Sequence, residues 1–329
     1  MSLFDLFKHP DPELEARRAA FQERQQQSIR ALEAGGLPLD ATERLQEQRG
    51  RQGTPQHLWT SDLSVNELAL THDCGFEPLG QVLGASTYHV GFQWRSQLWR
   101  NSVAQMGATY ELDVISYAFY QARHLALSRL WQEAQLLGAH GVVGVRVEQR
   151  DAGWADDLIE FSALGTAIRL QDTPPSNGSP WLCNLSGQDF WKLHQAGYEA
   201  AGLVAGNCTY FCVPSYASQQ VLTGGFLAAG SWRNQEMPEF TQAMFQAREI
   251  AQSRLITEVR TLQGTGTVGM TIENDAREEE VELSKGNIRT AMRYNFLALG
   301  TAIRVASRPQ NLPIHGTLPL KMMRLRNRY

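Results

Sequence analysis

The chain repeats itself, and this constrains its fold more than any other feature. Trp59-Thr-Ser-Asp-Leu-Ser64 recurs as Trp181-Leu-Cys-Asn-Leu-Ser186, a shift of 181 − 59 = 122 residues. The same shift carries His72 onto His194, Gly75-Phe-Glu77 onto Gly197-Tyr-Glu199, Gly84 onto Gly206 and Thr87-Tyr88 onto Thr209-Tyr210. Downstream the shift is 125, where Gln121-Ala-Arg123 meets Gln246-Ala-Arg248 and Glu133 meets Glu258. It reaches 135 at Ala163-Leu-Gly-Thr-Ala-Ile-Arg169, which returns letter for letter as Ala298-Leu-Gly-Thr-Ala-Ile-Arg304. Changes of shift locate loops, and the chain divides into two copies of one module. The expected domains are a polar helical segment (1–56), module 1 (57–172), module 2 (173–308) and a basic tail (309–329).

Two modules suit the length: 329 residues exceed what one core ordinarily serves, and 43% hydrophobic residues can fill two. No apolar run approaches the roughly 18 residues of a membrane helix, so no membrane span is expected. The first residues carry no export signal, and four cysteines without a Cys-x-x-Cys pair do not form a disulfide framework. A reducing, cytoplasmic compartment is the expectation. The net charge of −4 hides an asymmetry, because residues 283–329 hold nine Lys or Arg and no Asp or Glu.

Each copy opens with a capping pattern, Ser64-x-x-Glu67 and Ser186-x-x-Asp189, predicting a short helix that stops near Gly75 or Gly197. Short strands are expected around 81–83 and 203–205. The strongest periodicity follows: Ile115, Phe119, Ala122, Ala126, Leu130, Ala134 and Leu137 are spaced by three and four. The second copy places Phe240, Met244, Ala247, Ala251, Leu255, Val259 and Leu262 on the same stripe, so this whole face is expected to be core. Two strands with a polar stretch between them come next, around 142–147 and 268–272 and then through the Ala-Leu-Gly-Thr-Ala-Ile-Arg runs. The fold class is α+β: two tandem βαββ modules, each a small sheet with one long helix.

The helix with its Ala-Arg pair, Leu137-Gly-Ala-His-Gly-Val-Val-Gly144, and Gly165-Thr-Ala-Ile168 resemble the YbjQ family, whose members carry a heavy-metal-binding label. The resemblance runs over most of both copies, although the second reads Leu262-Gln-Gly-Thr-Gly266 where the first has its Gly-Ala-His-Gly. It implies a dodecin-like subunit that assembles into pentameric rings, and it implies a transition metal ion as the cofactor to test. Five modules cannot be drawn from whole two-module chains, so five chains would bring ten modules, as in two stacked rings. The segment Ile29-Arg-Ala-Leu-Glu-Ala-Gly-Gly36 resembles the short helical oligomerisation segments called SHOCT. Helices broken at Gly35-Gly36 and Pro38 are expected there.

Soft-metal sites need thiolates or imidazoles that converge on one ion. The candidates are His72, Cys74, His194, Cys208 and Cys212. His72 and His194 occupy matching positions, where interaction with a helix C-terminus is an equally good reason for a histidine. The cysteines have no cysteine at the matching position, which favours small buried residues. Arg123, Arg129, Arg248 and Arg254 lie off the apolar stripe, as do Glu133 and Glu258. Arg129 and Glu133, four apart, suggest a surface ion pair, with an interface role as the alternative. Trp99 and Trp232, in matching Trp-Arg-Asn triplets before each long helix, are candidate interface residues. Acidic hairpins (Asp151, Asp156, Asp157, Glu160; Glu278, Glu279, Glu280, Glu282) lack EF-hand spacing and read as solvated loops.

No nucleophile elbow, His-Glu-x-x-His motif or nucleotide fingerprint is present. The expected function is a self-assembling binding or scaffold protein. Two alternatives stand beside it: an enzyme with a site at module interfaces, and a protein docking an anionic partner such as nucleic acid through the tail at Lys321, Arg324, Arg326 and Arg328.

Overall fold

A computed structural model describes residues 12–91, 107–151, 158–223, 234–284 and 287–306. Among these are seven helices and eight strands. Two antiparallel helices come first, α1 (Pro12–Glu33) and α2 (Leu39–Gly50), turned at Gly35 with φ +80° where the sequence predicts a break. Module 1 contains α3 (Val65–Asp73), β1 (Phe76–His89), β2 (Thr109–Glu111), α4 (Asp113–Leu136), β3 (Gly141–Asp151) and β4 (Leu158–Leu170). Module 2 contains β5 (Trp181–Leu182), α5 (Gly187–Gln195), β6 (Tyr198–Cys212), α6 (Tyr216–Thr223), α7 (Pro238–Thr261), β7 (Gly266–Ser284) and β8 (Asn287–Val305).

The caps form largely as the residues dictate. Ser64 and Glu67 make a complete capping box, whereas Asp189, one methylene shorter, donates its amide to Ser186 without returning a carboxylate bond to the backbone of Ser186. Both helices end at glycines in the left-handed region, Gly75 at φ +81° and Gly197 at φ +80°. The strands after them are longer than expected: the short segments predicted around 81–83 and 203–205 are the centres of β1 and β6, of 14 and 15 residues. Their small and polar residues hide strand character, because cross-strand pairing with β4 and β8 supplies the stability that local propensity lacks.

In both modules the long helix lies across one antiparallel strand pair, α4 on β1 and β4 and α7 on β6 and β8. Close approach depends on one glycine in each. A Cβ at Gly84 would stand 1.9 Å from the Ala126 carbonyl oxygen, and one at Gly206 would stand 1.9 Å from that of Ala251. The alanines of the stripe and these glycines together let helix backbone rest on strand backbone. All seven stripe residues of the first copy, six in α4 and Leu137 just past its end, are buried, but in α7 Met244 is 38% exposed, contrary to the expectation of a continuous core face. Its counterpart Phe119 packs edge to face on Phe161 with ring centres 6.1 Å apart.

The sheets are not confined to their modules. Sheet order is β1-β4-β3-β5 in one and β2-β6-β8-β7 in the other. The edge strand β5 of the first sheet comes from module 2, and the edge strand β2 of the second comes from module 1.

Candidate functional site: the joint between modules

Each module gives the other a strand. Thr109, Tyr110 and Glu111 pair antiparallel with Cys212, Phe211 and Tyr210, and the ladder is extended by Leu112 donating to the Thr209 carbonyl and Val213 donating to that of Ala108. At the other end Trp181 and Leu182 run parallel to Gly141 and Val142. The repeat equivalents of these pairs, 234–236 with 88–90 and 59–60 with 266–267, are not paired within the chain. The joint is therefore heterologous: module 1 uses one surface and module 2 a different one.

Apolar contacts fill its centre. Leu112 and Ile115 of module 1 share a buried cluster with Ala205, Phe211, Val213, Leu297 and Leu299 of module 2. Threaded through it is a polar network. Arg123, 3% exposed, donates to Asn207 Oδ1 at 3.0 Å and lies 3.7 Å from Glu258, and Asn207 Nδ2 donates to the Ser116 carbonyl at 2.7 Å. The Thr209 amide donates to Ser116 Oγ at 2.9 Å. Burial pulls the Arg123 guanidinium below its ordinary pKa, while Glu258 and Tyr120 oppose the shift. Arg254 holds both oxygens of Glu111, at 2.6 and 3.0 Å, and also donates to the Asn207 carbonyl.

A second interface repeats this pattern on module 1. The helical hairpin α1–α2 packs beside α4, with Leu45 fully buried. Arg44 donates to Glu133 at 3.2 Å, and Arg129 donates to the carbonyls of Leu32, Gly36 and Ala85. The i,i+4 ion pair expected between Arg129 and Glu133 does not form. Their partners lie elsewhere, because Glu133 turns inward to accept the Leu83 amide at 2.8 Å, as Glu258 accepts that of Ala205 at 2.8 Å. Burial raises the Glu133 pKa, opposed by the Leu83 amide and Arg44.

Beside the joint lies a cleft of about 540 Å³ lined by residues including Asp113, Tyr117, Tyr120, Asn207 and Arg254. Tyr120 stacks on His124 with ring centres 5.9 Å apart, and Tyr117, 62% exposed, stacks on Tyr120 at 6.4 Å. Sequence patterning missed Asn207, Ser116 and Glu111. A polar residue at a strand position whose repeat counterpart is Ala85 was the available signal for Asn207.

The metal candidates are dispersed. Cys74 closes α3 and is buried with Phe190 and Leu193, while His72 beside it points to an exposed surface. His194 stacks on Phe190 at 6.3 Å. Cys208 and Cys212 share the helix-facing side of β6, but four strand residues separate them by about 13 Å. Burial pushes the thiols of Cys74 and Cys212 up to about 12 and that of Cys208 higher still, so all three stay protonated, whereas metals bind thiolate. Among the described residues no three His, Cys, Asp or Glu side chains form a group suited to a metal ion. These residues do not fit a soft-metal centre. Trp99, Trp232 and the basic tail lie outside the described residues, and among those described no helix is long and apolar enough to cross a membrane.

A family model, YbjQ, described as "Putative heavy-metal-binding", matches residues 101–171, within module 1. The chain therefore carries a YbjQ-like segment in module 1. It is 40% identical over 216 residues to the encapsulin nanocompartment protein Rv1762c of Mycobacterium tuberculosis, covering 64% of this chain and 76% of that protein. It is also 35% identical over 72 residues to the UPF0145 protein jk0060 of Corynebacterium jeikeium, covering 22% of this chain and 63% of that one.

Proposed function

We propose that this protein is a self-assembling scaffold or binding protein whose modules join head to tail, and that it serves in an encapsulin-type compartment. The heterologous joint carries the reading. Such a joint leaves a complementary surface at each end of the chain, and repetition of it builds rings or filaments rather than closed pairs. The name of the Mycobacterium relative, an encapsulin nanocompartment protein, supports the compartment. Five chains, carrying ten modules, is the stoichiometry that reconciles the family's fivefold assembly with whole two-module chains. All four cysteines are unpaired, which supports a reducing, cytoplasmic setting.

Metal binding is not part of the proposal, since among the described residues no three donors come together. The cleft beside the joint favours a second reading, in which a small molecule binds between modules against Tyr117, Tyr120 and Arg254. Native mass measurement with metal analysis on the untagged protein tests the first reading. We expect masses that are multiples of the 36.8 kDa chain, rising to five chains with concentration. A one-chain mass at every concentration would overturn it.

A further inference from the structure

Resting on the self-assembly reading, we propose that the α1–α2 hairpin is an intramolecular competitor for assembly. It holds the acceptor groups of module 1 against a second copy of this chain, whose module 2 carries the matching donor surface.

The donor surface is legible by repeat position. Module 1 presents Glu111, Tyr120 and Arg123 to module 2, and the 125-residue shift turns these into Glu236, Phe245 and Arg248. The charges are retained. Glu236 is exposed and Phe245 is 57% exposed. Arg248 stacks on Phe245 at 5.3 Å much as Arg123 lies over Tyr120 at 5.5 Å. Yet Nε of Arg248 is buried with no hydrogen-bond partner among the described residues, whereas Arg123 is engaged by Asn207 and Glu258. A buried guanidinium nitrogen left unpaired is costly, which favours an arrangement that supplies it with an acceptor. The edge strand β7 adds a second complementary feature, because its start, Gly266 to Val268, matches the stretch of β3 that β5 pairs with in module 1.

The acceptor surface is equally retained. Module 2 receives module 1 with Arg254 and Glu258, and the matching pair in module 1 is Arg129 and Glu133. Here the hairpin intervenes. Arg44 binds Glu133 as Arg123 faces Glu258, and the carbonyls of Leu32 and Gly36 take Nη2 and Nε of Arg129, where Glu111 takes the guanidinium of Arg254. The same N–H groups cannot serve the hairpin and an incoming Glu236 together. The neighbouring sheet face is uncovered: Leu83, Ala85, Thr87 and His89 are exposed, while their counterparts Ala205, Asn207, Thr209 and Phe211 are buried by module 1. An arriving module 2 thus has a surface to settle on before it displaces the hairpin. A second copy is the occupant because its end carries both opposite charges and the strand edges at the spacing the internal joint uses.

The test compares full-length wild type, Arg44→Glu, and Arg44→Glu combined with Glu236→Arg, by native mass across a concentration series. Arg44→Glu should lower the concentration of half-assembly by about tenfold, as loss of one competing charged contact implies. Adding Glu236→Arg should cancel that gain. Hydrogen exchange on the unsubstituted protein gives an independent arm, with protection of the α1 and α2 amides expected to fall as assembly proceeds. If wild type and Arg44→Glu assemble at the same concentration and hairpin protection is constant, the competitor is overturned while self-assembly stands. If the combined variant assembles as readily as Arg44→Glu alone, the assigned donor surface is wrong. One-chain masses for all three proteins would overturn both readings.

Discussion

The outer face of β6 in module 2 and that of β1 in module 1 descend from one pattern, yet one is interior and the other surface. Asn207, Thr209 and Phe211 are 6%, 1% and 0% exposed, whereas Ala85, Thr87 and His89 stand in solvent. The sequence has followed the difference: the buried row carries Phe211, Leu297 and Leu299, and its counterpart carries His89, Ser162 and Leu164. The lesson concerns repeats. A module cannot be assigned one core from its own pattern, since what covers its second face depends on its place in the chain.

That contrast can be broken most directly at the paired arginines. Arg123→Ala should destabilise the chain by about 3 kcal/mol, because it orphans the buried side-chain Oδ1 of Asn207 and opens the joint. Arg248→Ala should cost less than about 1 kcal/mol, as its Nε has no partner to lose among the described residues. Urea unfolding of both variants measures this, and equal costs would end the distinction between the two faces. The next test sharpens what the copies share. Gly84→Ala and Gly206→Ala should each cost about 2 kcal/mol or more, since both force a methyl group into a helix backbone, and the two values should agree. A large disparity would mean that one helix can move away from its sheet. The smallest expected effect lies at the caps: Ser64→Ala should lose about 1 kcal/mol and Ser186→Ala less, because only Ser64 belongs to a reciprocal box. Thermal unfolding resolves the order.

Much of the fold is legible in the sequence. The stripe at three- and four-residue spacing, the capping serines with their closing glycines, and the break at Gly35-Gly36 are local signals, and each acts through backbone geometry or helix periodicity within a few residues. The full lengths of β1 and β6 were not legible, because their Gly, Ala and Ser residues become strand only through pairing with β4 and β8. The candidate metal residues illustrate a different limit. Sequence gives donor types, but convergence and protonation depend on what surrounds each group, and burial keeps the thiols of Cys74, Cys208 and Cys212 protonated.

The sequence by itself determined that there are two modules, where their helices run and which charges recur at 123, 129 and 133 and at 248, 254 and 258. Tertiary structure alone decided what those charges meet. Arg123 is buried against Asn207 of the other module, Arg129 and Glu133 are held by the hairpin, and Nε of Arg248 has no partner among the described residues. The physical reason is that periodicity fixes which side of its own helix a residue occupies, whereas its partner is set by contacts between segments about a hundred residues apart.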